Sequence, residues 1–112
     1  MAVIERIENA SQLDALLERS KGRRVWIFKH SSTCSISSHA WSEFRRFAES
    51  VEGEVVFALI EVQTARPVSN DVAQRLGIRH QSPQAILLRE GAVAWHASHF
   101  DIELAALRQV DS

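Results

Sequence analysis

Among the 112 residues there is one cysteine, Cys34, and three positions after it stands Ser37. A thiol reacts as its thiolate, which unpaired backbone N–H groups and the positive end of the macrodipole stabilise at a helix N-terminus. The unit Cys34-Ser35-Ile36-Ser37 has the spacing of a Cys-X-X-Cys redox motif with serine in the second place. From that position Ser37 could donate a hydrogen bond to the thiolate one helical turn back, but it cannot resolve a mixed disulfide. With Thr33 just before the cysteine, these three form the candidate catalytic group. A lone cysteine forbids an internal disulfide and is too little for a zinc or iron–sulfur site built by one chain. The expectation is therefore no metal and no bound cofactor, with disulfide chemistry directed at a second molecule. The plainer alternatives are a small buried Cys34 and purely capping roles for Thr33 and Ser37.

The second chemical signal is Gly77-Ile78-Arg79-His80-Gln81-Ser82-Pro83, directly before an apolar run. Proline at the start of a strand often marks an edge or bend. A cis Ser82-Pro83 bond would instead turn the Ser82 backbone towards the thiol, offering its N–H and C=O to an extended substrate. Lys29, Arg79 and His80 lie close in sequence to these two landmarks and are candidate substrate-binding side chains.

These groups need elements to hold them. Val3 to Ile7 alternates as a short strand would, and Ser11 is placed to cap a helix carrying Leu13, Leu16 and Leu17. Val25 to Phe28 is a continuous run of β-formers, as in a central strand buried on both faces. After the polar cluster His30 to Thr33, a helical pattern places Ile36, Ala40, Phe44, Phe47 and Val51 on one face, closed by Gly53. Cys34 thus sits where strand gives way to helix. Val55 to Ile60 reads as another strand and Ser69 to Leu76 as a helix stopped by Gly77. Gln84 to Arg89, the turn Glu90-Gly91 and Ala92 to Ser98 form a hairpin, and Asp101 is placed to cap a last helix. Strand–helix alternation followed by a hairpin predicts one α/β domain over residues 1–112, with a central mixed sheet flanked by helices.

A net charge of -1 leaves no basic excess to neutralise phosphates, which argues against nucleic acid as a partner. The segment Met1 to Ser11 lacks the succession of a signal peptide, and no apolar run approaches a membrane span. The expectation is a cytoplasmic protein without a membrane partner.

Strand-then-Cys-X-X at a helix start, with Gly-Ile-Arg leading to proline, strand, Glu-Gly and strand, resembles the thioredoxin superfamily along essentially the whole chain. More narrowly, Phe28-Lys29-His30-Ser31-Ser32-Thr33-Cys34-Ser35-Ile36-Ser37 with His80-Gln81-Ser82-Pro83-Gln84 resembles the monothiol bacilliredoxin family, also called YtxJ or bacillithiol-system proteins. That family usually shows Thr-Cys-Pro-Ile-Ser, so Ser35 occupies the proline position and restores one backbone N–H near the thiolate. The resemblance implies a thioredoxin-like fold and removal of bacillithiol from S-thiolated client proteins through a mixed disulfide on Cys34. It also implies Pro83 as the substrate-docking cis-proline and bacillithiol as thiol co-substrate. Bacillithiol carries a malate group, for which Lys29, Arg79 and His80 are candidate anchors. Two other readings stand beside it: an iron–sulfur carrier of the monothiol glutaredoxin kind and a thioredoxin-like adaptor without reductase activity.

Overall fold

The computed structural model describes residues 3–111; of the domain expected over residues 1–112, Met1, Ala2 and Ser112 lie outside the described residues. The elements in order are β1 (Ile4–Arg6), α1 (Ala10–Arg19), β2 (Arg24–His30), α2 (Ser35–Ser50) and β3 (Val55–Glu61). They continue with α3 (Arg66–Leu76), β4 (Gln84–Arg89), β5 (Ala92–Ser98), a 3-10 turn (His99–Asp101) and α4 (Leu104–Asp111). The strands make one mixed sheet in the order β1-β3-β2-β4-β5. β2 runs parallel to β3 and antiparallel to β4, with Trp26 opposite both Phe57 and Leu87.

The central place of β2 follows from its composition. Its alternate residues serve two cores, because successive strand side chains point to opposite faces. Trp26 and Phe28 join Phe44, Phe47 and Phe57 under α2 and α4. Val25 and Ile27 join Leu13, Leu16 and Val72 under α1 and α3. Phe44 has ring neighbours in Trp26, Phe28, Trp41, Phe47 and Phe57, with centroids 5.1–6.5 Å apart. This aromatic block fixes α2, and with it Cys34, against the sheet.

Several boundaries differ from those expected. Asn9, not Ser11, caps α1, its side chain accepting from the Gln12 N–H at 2.9 Å. The buried stripe of α2 starts at Ser37 rather than Ile36 and runs through Ala40, Phe44, Phe47 and Ala48. α3 begins at Arg66 rather than Ser69, since Pro67 fits the first helical turn, where no intrahelical N–H is required. Gly77 ends it with φ of 67°, a conformation that suits glycine. Asp101 does not cap the last helix but closes the 3-10 turn. The Leu104 N–H is met instead by Glu43 Oε1 of α2 at 3.3 Å, so the cap comes from a neighbouring helix.

Candidate functional site

The parallel β2 and β3 end at the same edge of the sheet, and α2 and α3 begin there. Cys34 is the N-cap residue of α2, in extended conformation, half-buried and unpaired. Cys34 thus directly precedes the unpaired N–H groups of the first helical turn, the place where a helix stabilises a thiolate. The thiol itself makes no capping hydrogen bond to them. The preceding turn is closed by the Cys34 N–H donating to the Ser31 carbonyl at 3.2 Å.

Further side chains hold that turn, and two of them, Gln63 and His30, are not among the candidates read from the sequence. Gln63, just past β3, accepts from the Ser32 N–H at 3.1 Å and its hydroxyl at 2.7 Å, and donates to Thr33 Oγ1 at 2.8 Å. Thr33, taken as a catalytic candidate, is therefore exposed and bonded to Gln63. From the other side, Ser37 Oγ accepts from the Ser31 N–H at 2.9 Å and lies 2.8 Å from His30 Nδ1. Ser37 has no exposed surface. Its hydroxyl bonds to the turn and to His30; no hydrogen bond joins it to Cys34 among the described residues. The expected Ser37 bond to the thiol is thus replaced by a bond that shapes the turn.

The His30 ring stacks on Trp41 with centroids 5.7 Å apart and planes 26° apart. Burial lowers the His30 pKa below the ordinary histidine value, against the opposing pull of the Glu61 carboxylate. Burial thus favours the neutral imidazole. Neither Gln63 nor His30 stood out in the sequence, because each acts across a strand-to-helix junction that only the packed sheet closes.

The Ser82-Pro83 bond is cis. Gln84, which follows it, pairs with Lys29, so the cis-proline lies beside the His30 end of β2, at the same sheet edge as Cys34. The Pro83 carbonyl accepts from the His99 N–H at 3.1 Å. Two buried polar atoms flank the proline without a hydrogen-bond partner among the described residues, Ser82 Oγ and Gln84 Oε1.

Of the candidate anchors, Arg79 and His80 are exposed on the approach to Pro83. Lys29 is not a surface anchor: it has no exposed surface. Its place on a central strand, alternating with Phe28, turns it under α3, where Nζ donates to the Ser69 carbonyl at 2.9 Å. Nζ also meets His80 Nδ1 at 3.2 Å. Burial pulls the Lys29 amine down to about 8. The His80 pKa is lowered by burial first and then by the charges of Lys29 and Arg66. Among the described residues no group of three or more His, Cys, Asp or Glu side chains is arranged to hold a metal ion. No helix there is long and apolar enough to cross a membrane.

The comparisons agree with this geometry. Residues 5–107 match the family model described as monothiol bacilliredoxin BrxC. A solved structure described as having a thioredoxin fold, with an oxidoreductase role ascribed to it, superposes with a TM-score of 0.87. It is 27% identical and covers 98% of this chain and 95% of its own. The thioredoxins of Malassezia sympodialis and Fasciola hepatica superpose with TM-scores of 0.75 and 0.73 at 16% and 18% identity. They cover 97% and 95% of this chain and 88% and 94% of their own, and share its fold.

Proposed function

Since this chain belongs to the monothiol bacilliredoxin BrxC family of thiol–disulfide oxidoreductases with a thioredoxin fold, we propose that it removes bacillithiol from S-thiolated proteins in the cytoplasm. The observation that carries this reading is a sole cysteine at the N-cap of α2 with the second position of the redox motif filled by a buried serine. The Cys34 thiolate attacks the bacillithiol sulfur of the mixed disulfide. The client sulfur leaves as a thiolate, and bacillithiol remains on Cys34 as a new disulfide. A second thiol then attacks that disulfide, restoring the Cys34 thiolate and leaving as a disulfide with bacillithiol.

The flanking residues suit the two partners. The Ser82 segment at the cis-proline offers an extended client a strand-like edge. Arg79 and His80, exposed on the approach to it, suit the carboxylates of a malate group. No resident cofactor is needed for this exchange.

The test is intact mass after incubation with oxidised bacillithiol. The expected result is one bacillithiol adduct per chain, absent in Cys34→Ala. An unmodified native chain, or an adduct that survives Cys34→Ala, would overturn the reading.

A further inference from the structure

We propose that His30 is a positioning residue for Cys34, acting through the Ser37 hydroxyl; this rests on Cys34 as the exchange centre but not on the identity of the thiol it carries. The Ser31 N–H can only donate, so Ser37 Oγ accepts it. If His30 Nδ1 also donated, the oxygen would accept twice and its own proton would be left buried without a partner, which is costly. The arrangement that leaves neither the Ser31 N–H nor the Ser37 hydroxyl proton unpaired has His30 protonated on Nε2 and accepting the Ser37 proton at Nδ1, over 2.8 Å.

A neutral His30 is what burial favours, and Trp41 stacked on the ring fixes its plane. The chain of contacts then runs in one direction. His30 orients the Ser37 hydroxyl, Ser37 holds the Ser31 N–H, and Ser31 holds the Cys34 N–H through its carbonyl. Each link is a single hydrogen bond, and the last sets the backbone from which the thiol projects. The serine in the second motif position is thus half of a clamp whose other half is the last residue of β2.

The experiment is a double-mutant cycle read by the second-order alkylation rate of Cys34 with iodoacetamide at neutral pH, a probe indifferent to which thiol the protein meets in the cell. His30→Phe keeps an aromatic ring against Trp41 but removes the acceptor, and Ser37→Ala removes the hydroxyl. Each is expected to slow alkylation by about five- to tenfold, the effect of losing one ordinary hydrogen bond. The double variant is expected to be no slower than either single one, because the two act as a unit. His30→Asn, which returns an acceptor near Nδ1, is expected to recover the native rate to within about twofold. Circular dichroism checks that each variant keeps the fold. Multiplying effects in the double variant, an unchanged rate in His30→Phe, or no recovery in His30→Asn would each overturn the proposal. Failure of the bacillithiol adduct to form would leave this cycle unaffected, so the two readings fail separately.

Discussion

Lys29→Met is expected to stabilise the fold by about 1–3 kcal/mol at pH 7 and to abolish a rise in stability expected of the native chain between pH 8 and 10.5. In the unfolded chain the amine keeps its proton up to the ordinary value of 10.5, whereas burial in the fold removes it near 8. Between those values the unfolded state binds more protons, so native stability climbs with pH, by ~3 kcal/mol in all. Below pH 8 the cost of the buried charge is present in full. Methionine fills the same slot beside Ile27 and α3 without a charge. It also gives up the bonds to the Ser69 carbonyl and His80, each worth about 1 kcal/mol, which trims the gain at neutral pH. Urea unfolding at about pH 7, 8.5 and 10 reads both effects, and parallel pH profiles for native and variant chains would refute them. The amine ties α3 to the segment before Pro83. Exchange by the more stable variant is therefore expected to slow, a trade between stability and a held functional loop.

Lys29 also marks where the sequence stops being legible. The apolar run before it identifies β2, and a charge after Phe28 reads naturally as the strand emerging into solvent. Instead β2 lies between β3 and β4 from Val25 to Lys29, and the partners that make a buried lysine tolerable come from Ser69 and His80, 40 and 51 residues away. The same reason hides Gln63, which reaches Ser32 and Thr33 only because β2 and β3 are parallel neighbours. Local signals fared better where the physics is local. Gly77 ends its helix, and Glu90 and Gly91, both at positive φ, make the tight hairpin turn. The strand–helix junction at Cys34 is readable, since the apolar run ending at Phe28 gives way to helical periodicity from Ile36 across one short polar cluster. What surrounds the thiol was not, because Ser37 looks like a missing cysteine in the sequence and acts as a backbone clamp in the fold.

Without an added low-molecular-weight thiol, each chain is expected to release one client thiol and then stop. The first exchange leaves Cys34 in a disulfide, and a dithiol protein would clear it by attack from its second cysteine. Here no second cysteine exists, and the place it would take holds Ser37, without exposed surface and bonded to Ser31 and His30. A hydroxyl so held is neither a leaving group nor a nucleophile for sulfur at neutral pH, so the intermediate waits for an outside thiolate. Mixing the reduced protein with a several-fold excess of S-thiolated client should therefore give a burst of one equivalent of released thiol. Free bacillithiol should restart turnover. More than one equivalent released without added thiol would refute the monothiol cycle. The choice of restarting thiol then tests the approach to Pro83. If Arg79 and His80 meet the malate carboxylates, bacillithiol should restart the cycle faster than cysteine, and Arg79→Ala should narrow that difference by up to about fivefold, the effect of one exposed ion pair. Equal rates with both thiols in the native chain would mean that recognition lies in the client and that the regenerating thiol is accepted for its sulfur alone.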